Sequence, residues 1–416
     1  MNSSPSIGLD FTQPQVFLFD KRSNQTNKYV VADNQTYTES LGYGFDLQTQ
    51  RNSQNKPFFF SAHVPEGNYR VTVEFGHESL ASANTLRAET RRLYVKNLTT
   101  KAGEFVTRNF IVNVRNNELP PPELNAPGFV EVKLKEKEQH RLHWDNKLTL
   151  EFNGDAPQVR SVTLQRVDVP TIYLIGDSTV TDQAYEPAAS WGQMLPYFFS
   201  GDYFNGEIAI ANHAESGETM KSFIMTGRLA KTLQRMKAGD YLFIQFGHND
   251  QKIQWPQTYV EATTTYKDYL RTLIGEARLR GATPVLITSM QRRTFNEAGK
   301  IVNSHGLYPQ AVREVAIEKN LTLVDLDTMS VKFYEALGPN KAPLAFNDNG
   351  KDATHHNNYG AYEFARCVAE SIRQSSLPLT AQLAKLPPFN PAHPDAVENF
   401  SLSPSPLSSK QRPDGN

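Results

Sequence analysis

Ser178, Asp352 and His355 stand in the chain order serine, carboxylate, imidazole. That is the set of residue types used for nucleophilic attack on a carbonyl carbon. A serine hydroxyl is a weak nucleophile at neutral pH and needs an adjacent base. A histidine is the usual base, and a carboxylate orients its second nitrogen and stabilises the imidazolium. Asp352 and His355 are three residues apart, close enough for the carboxylate to reach the ring. Ser178 lies far away in sequence, so the fold must bring it to them.

The elements that would do so are legible in the back half. Thr171 to Ile175 is a short apolar strand that runs straight into Gly176-Asp177-Ser178-Thr179-Val180. From there strands (Ile208 to Ala211, Tyr241 to Phe246, Pro284 to Thr288, Leu321 to Leu326) alternate with helical stretches (Gly227 to Lys237, Thr263 to Arg280, Gln310 to Lys319, Tyr359 to Arg373). Such alternation reads as a parallel sheet with helices on both faces, and ligands bind such sheets at the carboxyl ends of the strands. Four polar blocks follow strands or precede the last helix: Gly176 to Val180, Asn212 to Gly217, Gly247-His248-Asn249-Asp250, and Asp352-Ala353-Thr354-His355. All four therefore gather at one sheet edge.

These blocks resemble the SGNH, or GDSL-type, hydrolases. Gly176-Asp177-Ser178 matches the first block of that family, Gly217 the second, Gly247 to Asp250 the third and Asp352 to His355 the fourth. The finer pattern is similar to the rhamnogalacturonan acetylesterase group, carbohydrate esterase family 12. It includes Asn212-x-Ala214-x-x-Gly217, Ser190-Trp191-Gly192-Gln193, and Gly360-Ala361 after the last block. One departure is Glu218-Thr219, where a small hydroxyl residue nearer the glycine is expected. The resemblance covers about 170–376. It implies a flavodoxin-like three-layer α/β/α domain and a serine esterase that removes O-acetyl groups from pectic polysaccharide or its oligosaccharides. Ser178, Asp352 and His355 would be the catalytic residues, and the N–H groups of Ser178 and Gly217 with the Asn249 amide the oxyanion donors. His248 and Trp191 are expected to bind substrate, with a structural polar role for His248 and a core position for Trp191 as the plainer readings. The alternatives are an SGNH esterase on acetylxylan, a lipid ester or a thioester, or a non-catalytic carbohydrate-binding protein.

Other residues have plainer readings. Asp177 is expected to hold its turn by hydrogen bonds. His356 is the rival base to His355 and is read as a solvated neighbour. Asp352, His355 and His356 could ligate a metal, but no partner cluster has ligand spacing, so no metal and no cofactor are expected. Trp144 is expected in a core and Trp255 either in a core or on a sugar.

The first 165 residues or so read as β. Short runs such as Val16 to Phe19, Phe58 to Val64, Tyr69 to Phe75, Arg92 to Val95, Glu104 to Val114, Leu148 to Phe152 and Ser161 to Val167 carry period-two patterning and turn punctuation. They suggest an all-β sandwich over 1–169, which the resemblance implies is a galactose-binding-like accessory domain, ahead of a hydrolase domain at 170–385 and a partly disordered tail at 386–416. The two halves are expected to be separate folding units, the back half keeping its chemistry alone.

Composition excludes several classes. Of 416 residues, 43 are Lys or Arg and 44 Asp or Glu, which argues against a nucleic-acid binder. The single cysteine, Cys367, leaves no intramolecular disulfide and no cysteine-based zinc site. No run is long and apolar enough to span a membrane. Met1 to Gly8 has neither a basic start nor an apolar run, so the expected location is cytoplasmic for the chain as it stands, or secreted or periplasmic if a leader was removed. The Asn24-Gln25-Thr26 and Asn97-Leu98-Thr99 triplets are read as chance occurrences.

Overall fold

The computed structural model describes residues 9–19, 28–51, 56–121, 128, 130–200, 207–410 and 413. The Met1 to Gly8 and Asn24 to Thr26 readings lie outside these residues. In chain order the strands are β1 (Gln15–Leu18), β2 (Lys28–Val30), β3 (Tyr43–Asp46), β4 (Phe58–His63), β5 (Gly67–Phe75), β6 (Ser82–Ala88), β7 (Arg92–Thr100), β8 (Val106–Val114), β9 (Lys147–Ala156), β10 (Val159–Val167), β11 (Thr171–Gly176), β12 (Ala209–Asn212), β13 (Tyr241–Gln245), β14 (Thr283–Ile287) and β15 (Leu323–Val324). The helices are α1 (Trp191–Met194), α2 (Met220–Met225), α3 (Arg228–Leu233), α4 (Thr265–Leu279), α5 (Tyr308–Glu318), α6 (Leu326–Lys341) and α7 (Asn358–Arg373).

The back half is built as its alternation requires. Strands β15-β14-β13-β11-β12 pair parallel, with β11 in register against β12 on one side and β13 on the other. Side chains of β11 alternate between two cores, because successive residues of a strand point to opposite faces. Ile172 and Leu174 pack with Phe364, Val368 and Ile372 of α7. Tyr173 and Ile175 pack with Leu270, Leu273 and Ile274 of α4 and Val312 and Val315 of α5. Burial on both faces explains why these strands read as unbroken apolar runs.

In the front half, β3-β4-β9-β6-β7 form one antiparallel sheet. Its inward residues, among them Phe45, Phe58, Phe60, Leu86, Leu150 and Phe152, share one core with Phe17, Val71, Val73, Phe110, Val162 and Leu164 of the strands β8-β5-β10-β1.

These latter strands are not a sheet of their own. Strand β12 also pairs parallel with β8 through Ile210 and Val112, so one ten-stranded sheet runs through both halves. The polar Glu89–Arg92 turn between β6 and β7 enters the back half, where Thr90, Arg91 and Arg92 are fully buried. Arg92 pairs with Asp182 at 2.6 Å, with both side chains at zero exposure. Arg91 donates to the carbonyls of Gln183 and Ala188.

Within the stretch read as a partly disordered tail, residues 401–410 are held, while 411–412 and 414–416 lie outside the described residues. Ser401 and Ser403 carbonyls accept from Asn97 and Arg87, and the Glu186 N–H bonds to the Leu407 carbonyl while Ser409 N–H returns to Glu186. Residues 401–410 thus tie the front sheet to the loop after the first block.

Candidate active site

Strand β11 must stop at a glycine. A Cβ on Gly176 would lie 2.4 Å from the Gln245 carbonyl oxygen and 2.7 Å from Val180 Cγ2. The chain then turns tightly: Val180 and Thr181 N–H both bond to the Asp177 carbonyl, and Asp177 Oδ1 accepts from Thr179 N–H at 3.0 Å and its hydroxyl at 2.8 Å. Asp177 therefore holds the turn that presents Ser178.

The fourth block lies between α6 and α7. Asp352 Oδ1 accepts from the N–H groups of Thr354 and His355, at 2.8 and 3.0 Å. Its Oδ2 lies 2.8 Å from His355 Nδ1, and His355 Nε2 lies 2.8 Å from Ser178 Oγ. Burial alone would raise the Asp352 carboxyl. The His355 ring and these two N–H groups overcome that and hold it well below the usual carboxylate range. It is therefore ionised at neutral pH.

The groups expected to donate to an oxyanion keep hydrogens to spare. Among the described residues, the N–H groups of Ser178 and Gly217 meet no protein acceptor. Gly217 has φ +81°, a left-handed conformation that favours glycine. Asn249 Nδ2 donates one hydrogen to the Glu218 carbonyl at 3.0 Å and keeps a second. Asp250 anchors the same loops, Oδ1 accepting from Met220 N–H and Oδ2 from Gly247 N–H. Its burial pushes its pKa up to about 7.

Two expected roles are corrected. Trp191 is 1% exposed and donates from Nε1 to Gln245 Oε1 at 2.8 Å. It packs beneath the turn as core and offers no face to a sugar. His356 is not solvated: it is buried, bonds Tyr334 through Nε2 at 2.8 Å, and packs at a tilt against the rings of Phe346 and Phe364. Burial, then the charge of His355, lowers its pKa to about 3, so it stays neutral. His248 is buried beside the triad, with Nδ1 3.3 Å from Asp177 Oδ2 and its ring edge-on to His305. Trp144 is core, and Trp255 is 40% exposed.

Volume does not locate this site. A cavity of about 660 Å³ opens at the opposite, amino ends of the strands, lined by Thr171, Asp240 and Lys237. It holds no nucleophile–base pair. No group of three or more His, Cys, Asp or Glu able to hold a metal occurs among the described residues.

A family model described as the GDSL-like lipase/acylhydrolase family matches residues 174–361. Rhamnogalacturonan acetylesterase RhgT of Bacillus subtilis (strain 168) is 38% identical over 225 residues, covering 51% of this chain and 93% of that protein. The chain belongs to the GDSL-like acylhydrolases. It is a carboxylic ester hydrolase. A second B. subtilis protein, the probable rhamnogalacturonan acetylesterase YesY, is 38% identical over 219 residues, 51% of this acylhydrolase and 97% of its own length. The uncharacterized esterase YxiM of that organism is 26% identical over 394 residues, 88% of this chain and 92% of its own, so that similarity extends through both halves.

Several residues around this acylhydrolase site carry no linear motif. Thr181 donates to the Ala214 carbonyl, tying the nucleophile turn to the oxyanion loop. Arg292 donates to the His248 carbonyl at 3.4 Å. Lys135 and Arg141 reach the loop from the front half. Thr181 stands as a common hydroxyl, Arg292 beside Arg293, and Lys135 and Arg141 in a charged run that reads as solvated, so nothing short of the fold marks them.

Proposed function

We propose that this acylhydrolase removes O-acetyl groups from rhamnogalacturonan or its oligosaccharides, with Ser178 as nucleophile. The observation that carries the chemistry is the relay Ser178–His355–Asp352, with both contacts at 2.8 Å. Ser178 Oγ attacks the acetyl carbonyl while His355 Nε2 takes its proton. The tetrahedral oxyanion is held by Ser178 N–H, Gly217 N–H and Asn249 Nδ2. His355 returns the proton to the departing sugar hydroxyl, leaving an acetyl-serine. Water, deprotonated by the same nitrogen, then releases acetate. Each oxyanion donor is worth about 10²–10³ in turnover.

The pectic substrate rests on the relatives named above and on charge beside the triad. Arg292 is half-buried, feels the carboxylates of Asp177 and Asp352, and forms no ion pair with either. Trp255 is partly exposed on the loop that follows Asn249, with Lys252 Nζ 4.4 Å over its ring. A guanidinium, an ammonium and an indole suit a uronic-acid sugar better than a neutral xylan or a lipid chain. On this reading residues 1–169 are a β-sandwich module, galactose-binding-like, joined to a flavodoxin-like hydrolase domain at 170–385.

The test is acetate release from acetylated rhamnogalacturonan, acetylated xylan and a small aryl acetate. We expect Ser178→Ala to abolish all three. Arg292→Gln is expected to lower kcat/KM on the uronate polymer about tenfold or more and to leave the aryl acetate within a few-fold. An equal loss on all three substrates would reject the uronate reading, and turnover above about 1% in Ser178→Ala the serine mechanism.

A further inference from the structure

The Ser216–Gly217 peptide carries the Gly217 N–H, and its other face is gripped from the front half. Lys135 Nζ donates to the Ser216 carbonyl and pairs with Glu218 Oε1 at 2.9 Å. A trans peptide is planar, with its C=O and N–H pointing in nearly opposite directions. Holding the Ser216 oxygen therefore fixes where the Gly217 N–H points. A cation on the carbonyl also polarises the unit and makes the N–H a stronger donor.

The second donor is tied to the same ammonium. Asn249 Nδ2 bonds the backbone carbonyl of Glu218, whose carboxylate Lys135 pairs. Lys135 is in turn fixed by its own segment. Its N–H donates to Glu138 Oε2 at 2.9 Å, and that carboxylate pairs with Arg228 at 2.6 Å. Arg141 of the same segment pairs with Glu215 Oε2 at 2.8 Å. Glu215 and Glu138 are fully buried, so these contacts are not solvated surface pairs. Glycine at 217 gives the loop a soft backbone at the point where precision is needed. Nothing else among the described residues bonds the Ser216 carbonyl.

We propose that Lys135, a residue of the front half, is a positioning residue that sets the oxyanion-stabilising peptide, so that the β half belongs to the catalytic apparatus. The proposal rests on the reading of Ser178 as nucleophile and Gly217 as donor, but not on the identity of the sugar. Lys135 touches no reacting atom, and it acts through the Ser216–Gly217 peptide and through Glu218.

The experiment uses the full chain and a small aryl acetate, which any acetylesterase of this mechanism cleaves. Lys135→Met is expected to lower kcat at least tenfold with KM within twofold, and to slow inactivation of Ser178 by an aryl phosphonate by a similar factor, since that reaction needs the same donors. The pH profile of kcat/KM should keep its shape, because the Asp352–His355 pair is untouched. Lys135→Arg should restore most of the rate. Lys147→Met is the control: it removes a comparable front-half ion pair, Lys147 to Asp46 at 2.7 Å, and should leave kcat unchanged. Melting temperatures establish that each variant is folded. A folded Lys135→Met enzyme with kcat within twofold of wild type overturns the proposal, as does an equal loss in Lys147→Met. Failure of the esterase reading itself would appear differently, as Ser178→Ala retaining turnover.

Discussion

His355 and His356 are neighbours in sequence and opposites in environment. His355 faces Asp352 on one nitrogen and Ser178 on the other. His356 faces Tyr334 and aromatic rings, and its pKa is lowered to about 3. Below about pH 6.5 an unfolded chain takes up a proton at residue 356 that the folded chain refuses until about pH 3. Stability therefore falls as pH drops through that window, by roughly 5 kcal/mol at most for this one group at about 1.4 kcal/mol per unit. Glutamine can keep a bond to Tyr334 without that proton. His356→Gln should narrow the gap between urea midpoints at pH 7 and pH 4 while retaining measurable esterase activity. His355→Gln should abolish activity. An unchanged gap in His356→Gln would show that residue 356 is not buried neutral. The blocks around these residues were legible because each is a contiguous run whose chemistry is local. The burial of Trp191 and His356 was not, because the partners that enclose them, Gln245, Tyr334 and Phe364, lie between 8 and 54 positions away.

At the scale of elements, the turn after β11 is held by what packs against it. Helix α1 begins at Ser190, whose hydroxyl accepts from Gln193 N–H and donates to the Val180 carbonyl. That carbonyl also accepts from Asn212 Nδ2 at 2.7 Å. Gly192 sits against this junction: a Cβ there would lie 2.2 Å from the Val180 oxygen and 2.9 Å from Asn212 Nδ2. Gly192→Ala must push the turn or break the Asn212 bond. Overpacking of this kind costs about 1–3 kcal/mol, and here it also shifts the segment that carries Ser178. We expect a melting temperature lower by several degrees and a fall in kcat. A variant with both unchanged would show that the junction yields freely. The strands and helices that do bury two apolar faces were readable from the sequence for that reason. Strand β6 was not, because Ser82, Asn84 and Arg87 are polar yet buried, with partners in β7, β9 and the C-terminal segment. Helix α6 is hard to read because its buried face mixes Ser330 with Leu326, Phe333 and Tyr334, and the helix breaks at Gly338 before Pro339.

For the whole molecule, sequence patterning suggests two independent halves, and the run of parallel strands opens at β11, two residues after Val169. What patterning cannot reveal is which charges are buried. Arg92, Arg91, Lys135 and Arg141 read as solvated residues of a β domain, yet they meet Asp182, Glu186, Glu215 and Glu218 of the back half. Asp182 and Glu215 have no exposure. A chain starting at residue 171 would leave both carboxylates without their cations and would open the β12 edge that pairs with β8. Removing one partner of a buried pair costs about 3–5 kcal/mol, a large part of the 5–15 kcal/mol that holds a domain together. We therefore expect residues 171–416, expressed alone, to be insoluble or to lack turnover on the aryl acetate. The intact chain offers a gentler version of the same test. Arg92→Met keeps the sheet continuous and takes a donor from the Asn113 carbonyl and a cation from Asp182, which still accepts from Asn212. Its melting temperature should drop by several degrees with kcat less affected than in Lys135→Met, because Arg92 does not contact the oxyanion loop. A soluble 171–416 fragment with wild-type kcat would mean that the back half holds its own active site and that the buried pairs across the halves serve only to join them.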